Sequence, residues 1–327
     1  MARKLDILVP VYDEGVEVLT PLLRSIELQV GVDFSQIGVI VCCDGGSTVL
    51  TDEYMAQFPF HVEFHMCEHR GVSATRNACL DHSDAEYVSW SDCDDRYCDV
   101  CGLYIVFQQM EKGFQLLISN FREQTKGPDG KFVFVDHGID STFVHGKVAN
   151  RQFLIDHDIR WNPELRIHED SFFNVLCKEI ADPDRSVYCP HPFYLWTWRD
   201  ESVARHDKKY ILKTYVDMVK SNDALVDEFI RRMMLDKASY YVGFLTFDAF
   251  YTMNKQEWVD TVNAEYREKT ERRFAEYFRK HKEQWDVLTP QEKVAISNGV
   301  RQRSVSEGML LEALTVDQWL ERVLSKY

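Results

Sequence analysis

Short apolar runs alternate with amphipathic stretches through the first half of the chain. Leu5 to Pro10 is apolar at nearly every position, which predicts a strand buried on both faces. Glu17 to Gln29 comes next, with Val18, Leu22, Leu23 and Ile26 at helical spacing. Ile37–Cys43 and Val62–Met66 predict two more strands, Ser73–His82 a helix, and Glu86–Ser91 a fourth strand. Strand and helix in this alternation predict a parallel α/β sheet with helices on both faces. Ligands of such sheets bind beyond the carboxyl ends of the strands. The polar clusters Tyr12–Glu14, Asp44–Ser47 and Asp92–Asp95 each come directly after a strand, so all three are expected on one rim.

Pro128 to Lys131 predicts a turn, with Phe132–Val135 returning as an antiparallel strand. Helices are expected over 150–157 and 170–180, and Pro190 and Pro192 punctuate the stretch beyond them. From about His206 the texture is helical throughout, as in Ile211, Leu212, Tyr215, Met218 and Val219, with no alternating strand pattern and no internal repeat. This divides the chain into 1–205 and an α-helical region, 206–327.

The hydrophobic share of 45% and charged share of 28% are those of an ordinary globular protein, and the 327 residues suffice for one large domain and a smaller one. No apolar run is long enough to span a bilayer, and no apolar stretch of signal-peptide type comes after Arg3 and Lys4. Nine cysteines without such a signal point to free thiols in a reducing compartment, the cytoplasm. A net charge of -15 argues against attraction of phosphate polymers over the whole surface, though a local basic groove remains compatible with it.

Four constellations carry candidate chemistry. Ser91-Asp92-Cys93-Asp94-Asp95 places three carboxylates at a strand end, where a divalent cation neutralises their repulsion. The bland alternative is a solvated acidic loop. Cys43-Asp44-Gly45-Gly46-Ser47-Thr48 combines a carboxylate with two glycines that let backbone approach a ligand, or make a plain turn. Gly71-Val72-Ser73-Ala74-Thr75-Arg76-Asn77 opens a helix, with Arg76 able to face phosphates or simply solvent. His168-Glu169-Asp170 starts another helix, where a carboxylate serves as a general base or merely as a cap. Cys98-x-x-Cys101, with Cys93 nearby, has zinc-ligand spacing, but there is no second Cys/His pair downstream at the usual interval, and both cysteines are expected on a helix face.

Each motif is weak singly; their order is not. Val9-Pro10-Val11-Tyr12-Asp13-Glu14 resembles the "VPVYNE" opening of glycosyltransferase family 2. The Asp44 segment resembles that family's "VDDGST", Gly71–Asn77 its "GxSxARN", and Asp92–Asp95 its "DxDD". Farther on, His145-Gly146-Lys147, Ile159-Arg160-Trp161 before Glu169-Asp170, and Tyr194-Leu195-Trp196 with Arg199 and Ser202 resemble its later segments. The resemblance spans roughly residues 5 to 205; the region beyond about 206 matches no general family motif, and with Arg301-Gln302-Arg303 it loosely resembles phage-borne members. It departs at Gly45, where the family usually has a second Asp, and at Thr75, which replaces a common Ala.

The resemblance implies a GT-A-type, Rossmann-like fold with a mixed, mainly parallel sheet. It implies an inverting transfer from a nucleoside-diphosphate sugar, UDP-linked by preference, to a hydroxyl acceptor. Pro10, Tyr12, Glu14, Asp44, Arg76 and Asp92 would then contact the donor. Asp94 with Asp92, and His206 as a further ligand, would hold Mn²⁺ or Mg²⁺. Asp170 would be the base, with Glu169 orienting it. Lys147, Trp196 and Arg199 would face the acceptor, a saccharide or cell-surface polymer.

One alternative acceptor is a hydroxymethylated base in viral DNA. Its groove would be Lys208, Lys209, Arg231, Arg232, Arg272, Arg273, Lys280 and Lys282, with Tyr240, Tyr241, Phe247 and Tyr251 to stack on a flipped base. The bland reading pairs those cations with nearby acids. A non-catalytic sugar-nucleotide-binding module is opposed by the intact acidic motifs. A nucleotidyltransferase is opposed by the lack of a basic Gly-rich loop after the first strand.

Overall fold

Seven consecutive residues, Leu5–Val11, form β1 at the centre of a sheet, and the four apolar positions Leu5, Ile7, Leu8 and Val9 are wholly buried. Burial on both faces is what an uninterrupted apolar strand requires. In the computed structural model, which describes residues 3–200, 209–304, 312 and 314–327, the chain forms two compact units, Met1–Asp200 and Glu201–Tyr327. His206, Ser202 and Lys208 lie outside the described residues.

In the first unit β1 is succeeded by α1 (Val16–Glu27), β2 (Ile37–Cys43), α2 (Asp52–Met55), β3 (His61–Met66), α3 (Val72–His82) and β4 (Tyr87–Trp90). Then come β5 (Arg96–Tyr97), α4 (Gly102–Met110), β6 (Leu116–Lys126), β7 (Phe132–His137), β8 (Lys147–Asn150), α5 (Arg151–Asp156), α6 (Glu169–Ile180) and β9 (Ser186–Trp196). The strands lie in the order β3-β2-β1-β4-β8-β6-β9-β5, with β7 paired to β6. β1 to β4 are mutually parallel, and β8 runs antiparallel to both β4 and β6. The sheet is therefore mixed and mainly parallel on its N-terminal side, as expected.

Register sets the site. Leu5 pairs with Ile37 and Val11 with Cys43, while Leu5 also pairs with Tyr87 and Leu8 with Trp90. The carboxyl ends of β1, β2 and β4 thus finish side by side, and the three polar clusters leave the sheet on one rim. Pro10 falls after Leu8, the last residue paired with β4, so its missing N–H costs that ladder nothing.

Two local readings change. Cys98 and Cys101 are exposed and precede α4 rather than lying on its face. Pro190 and Pro192 do not end a segment; they sit inside β9, where pairing with β6 slips between Ser119↔Cys189 and Phe121↔Tyr194. The slip is a place where a strand can lack amide donors.

The second unit is helical over its described residues: α7 (Tyr210–Lys213), α8 (Tyr215–Arg231), α9 (Leu235–Met253), α10 (Gln256–Thr261), α11 (Ala264–Lys280), α12 (Lys282–Asp286), α13 (Pro290–Ser304) and α14 (Val316–Lys326). Its core holds Tyr215, Phe229, Trp258, Tyr277 and Trp319, all buried. None of the described helices is long and apolar enough to cross a membrane.

Candidate active site

The rim loops are bound to each other before any ligand arrives. Asp13 Oδ1 accepts from Ser47 N at 2.8 Å, and Thr48 Oγ1 donates to Tyr12 O and Glu14 O at 3.0 and 2.7 Å. The Asp44 carboxylate is gripped by the amides of Arg70 and Gly71, with Oδ1 at 2.8 Å from Arg70 N. Gly45 comes next with φ of +75°, a conformation glycine adopts freely.

Between these loops and the β4 end lies a cavity of about 270 Å³. Pro10, Tyr12, Glu14, Asp44, Asp92 and Asp94 line it, six residues that the sequence placed in the donor or metal site. Arg199, expected at the acceptor, also lines it, with its guanidinium 3.2 Å from Asp94 Oδ2 and 3.9 Å from Glu14 Oε1. Burial pushes the Asp94 carboxyl above its ordinary range, the Asp92 charge adds to that, and Arg199 opposes it. Tyr12 is half exposed at the rim, its ring centroid 5.0 Å from that of His69.

Val72, Thr75 and Cys93 complete much of the wall and were not read as site residues. The signal was available for two of them. Val72 and Thr75 are three apart in the first turns of α3, hence on one face of a helix that starts at the rim.

Arg76 lies behind this wall. It is buried, donates to Glu169 Oε1 at 2.9 Å and to Asp92 Oδ1 at 3.1 Å, and rests 4.4 Å from the Trp161 ring centroid. Trp161 stacks on Phe173 of α6 at 4.2 Å. Asn77 fixes the Trp161 backbone from both sides, accepting from its N–H at 3.0 Å and donating to its carbonyl at 2.8 Å. The paired Arg-Asn of one motif and the Trp of another are thus one joint between α3 and the start of α6.

His168, just before α6, has φ of +62°, which is unusual for a residue with a Cβ and turns the chain so that Glu169 and Asp170 open the helix. Asp170 is part-buried: desolvation raises its pKa to about 7, Glu169 adds to the rise, and Arg76 and a bond from Ser171 N lower it. Lys147 is buried nearby. Burial lowers its pKa to about 8, while the charges of Asp140 and Asp170 raise it, and its ammonium donates to Phe143 O. Trp196 packs on Phe143 and His145 at 5.5 and 5.0 Å between ring centroids. Neither Lys147 nor Trp196 is among the cavity-lining residues.

Two sets of groups could hold a cation here. Asp92, Asp95 and His145 bring three ligand atoms within 4.8 Å of one another. Asp95, however, is fully buried and already accepts from Tyr194 Oη and Thr197 N, both at 2.8 Å. Asp92 and Asp94 are the carboxylates on the cavity wall, and their all-oxygen character suits Mg²⁺ or Mn²⁺.

Residues 6–137 match the model of Glycosyl transferase family 2. That segment carries the family 2 pattern. It takes in Tyr12, Asp44, Arg76 and the Asp92–Asp95 cluster, the same motifs on which the resemblance was read. Among solved structures the chain is similar to S. aureus TarS 1-349 in complex with UDP, at 16% identity and a TM-score of 0.64 over 99% of this chain and 91% of that one. TarS 1-349 in complex with UDP-GlcNAc gives 16% and 0.65 over the same shares. A mannosyltransferase from Pyrobaculum calidifontis with GDP-Man and Mn2+ gives 12% and 0.50, over 99% and 86%. At such identities the likeness is one of fold, and the fold is GT-A-like with a helical C-terminal region. No curated protein matches the sequence.

Proposed function

We propose that the chain is a divalent-metal-dependent, inverting glycosyltransferase that moves one sugar from a UDP-sugar to a hydroxyl of a saccharide or polymer. The observation that carries this reading is the joint at Arg76. One guanidinium ties Asp92, on the cavity wall, to Glu169, beside a carboxyl whose pKa of about 7 suits a base. UDP and UDP-GlcNAc in the TarS structures, and GDP-Man with Mn2+ in the mannosyltransferase, support a nucleoside-diphosphate sugar and a cation.

In this reading Tyr12 and His69 flank the base, and Asp44 and Glu14 meet the nucleoside. Arg199, which lines the cavity beside Asp94, would meet the diphosphate, a role that suits a guanidinium better than contact with an acceptor. Asp92 and Asp94 would hold Mn²⁺ or Mg²⁺, which supplies positive charge against the departing diphosphate. Asp170 takes the proton of the acceptor hydroxyl as its oxygen bonds to the anomeric carbon. The bond from that carbon to the diphosphate oxygen breaks on the opposite face, which inverts the configuration. Arg76 and Lys147 favour the ionised form of Asp170 and so oppose the rise that burial causes.

The test is nucleotide release from a panel of UDP- and GDP-sugars with Mn²⁺ and no acceptor. UDP release from one donor is expected, and chelation by EDTA or Asp94→Asn should abolish it. Undiminished turnover in EDTA would remove the metal from the mechanism.

A further inference from the structure

Away from the donor cavity, four titratable side chains gather at the free edge of the sheet. β3 ends the strand order and pairs with β2 alone among the described residues. Residues two apart on a strand share a face, so His61, Glu63 and His65 make a His-x-Glu-x-His row. Both Glu63 oxygens are engaged along this row, Oε2 lying 3.2 Å from His61 Nε2 and Oε1 2.7 Å from His65 Nε2. From a different element His82, the last residue of α3, lays its ring on His65, with centroids 3.4 Å and planes 8° apart. One ligand atom each from Glu63, His65 and His82 lies within 4.8 Å of the others.

Hydrogen bonding explains Glu63 with His61 and His65. It does not explain why a third imidazole, from a different element, is stacked against His65. A shared cation explains why Glu63, His65 and His82 converge, with His61 beside them on the other Glu63 oxygen. Three imidazoles and one carboxylate are a donor set for zinc and its neighbours in the first transition row, not for the hard Mg²⁺ or Mn²⁺ of an all-oxygen site. Donor atoms of a tetrahedral zinc lie roughly 3.4 Å apart, given bonds of about 2.0–2.1 Å. Reaching that spacing needs the 2.7 Å Glu63–His65 contact to open and the exposed His82 side chain to turn at its helix end, where a cation also meets the negative pole of the helix dipole.

We propose that Glu63, His65 and His82, with His61 or water as the fourth donor, bind one zinc-type transition-metal ion that clips β3 to the end of α3. The clip closes the segment 66–81, which includes the loop whose Arg70 and Gly71 amides hold Asp44, so it braces the donor cavity from outside.

The experiment uses the full chain, stripped with chelator and titrated with Zn²⁺ alone by calorimetry and with Co²⁺ by absorption. One tight equivalent is expected, kept in Asp94→Asn, with weak cobalt d–d bands and no thiolate charge-transfer band. His65→Ala and the surface variant His82→Gln should each weaken it at least roughly tenfold, since even outer-sphere partners of metal ligands are worth that much. Zinc should raise the Tm of the wild type more than that of either variant at the same zinc concentration. Absence of a stoichiometric site overturns the proposal. So do unchanged affinity in both variants, loss of the site in Asp94→Asn, or a thiolate band.

Discussion

A single carboxyl shows how position sets chemistry in this chain. Asp170 and Glu169 are neighbours in the first turn of α6, yet burial moves Asp170 from the ordinary 3.8 to about 7. A base must be ionised to act, so kcat/KM should rise with pH through about 7 and level off above it, as read from initial rates between pH 5 and 9. Asp170→Asn should lower the rate by about a hundred- to ten-thousand-fold with donor affinity kept. A flat profile, or a near-normal rate, would leave Asp170 as a helix cap. Linkage gives a second reading of the same shift. The folded state holds this proton more tightly than the unfolded chain, so stability falls as pH rises from about 4 to about 7. The gain in Tm from Asp170→Asn should therefore be larger at pH 8 than at pH 5, measured by thermal melts.

Among the elements, the loop after β2 explains a departure from the family pattern. The family usually has a second Asp where this chain has Gly45. A Cβ there would lie 2.8 Å from His69 Cβ and 2.9 Å from His69 N, at a φ of +75°. Gly45→Asp should therefore destabilise the fold by about 1–3 kcal/mol, the cost of a strained backbone position. It should also weaken nucleotide binding, because His69 and Asp44 move together. Calorimetric melts and UDP titration check both; unchanged Tm would show that the loop relaxes freely.

The rim itself was legible in the sequence. Apolar runs such as Leu5–Pro10 and Ile37–Cys43 declare strands, and polar residues directly after them must emerge at their ends. Side-chain direction was not legible: Arg76 reads as a phosphate contact, and it is enclosed between Asp92, Glu169 and Trp161 because residues 84 or more positions downstream close over it. β9 was hidden for a related reason, since its prolines sit in a slip of register that only the partner strand β6 defines.

For the whole molecule, the question is what the cations of the second unit do in a chain of net charge -15. Six of the eight read as a nucleic-acid groove are engaged locally. Arg231 and Arg232 share Glu228, Arg272 bonds Glu268 at 3.0 Å, and Lys282 bonds Asp286. Arg273 and Lys280 converge with His281 on the buried Asp223. Phe247, a candidate for stacking on a flipped base, is buried against Trp285. Burial is the largest influence on Asp223 and pushes its pKa up, but His281, Lys280 and Arg273 together bring it down to about 2. That network stabilises the unit above the ordinary carboxylate range and is lost as pH falls toward about 2. The two kinds of cation should then separate by mutation. Arg272→Ala with Lys282→Ala removes exposed i, i+4 pairs and should leave Tm within about a degree or two. Arg273→Ala with Lys280→Ala leaves Asp223 with only His281 and should lower Tm by several degrees. If the acceptor is a neutral saccharide, transfer by the wild type and by the first pair should match at low and high salt, because no counterions are released. If it is DNA, acceptor binding should fall steeply between about 50 and 200 mM salt, and the first pair should flatten that slope. A steep wild-type slope would overturn the saccharide assignment and return these cations to acceptor recognition.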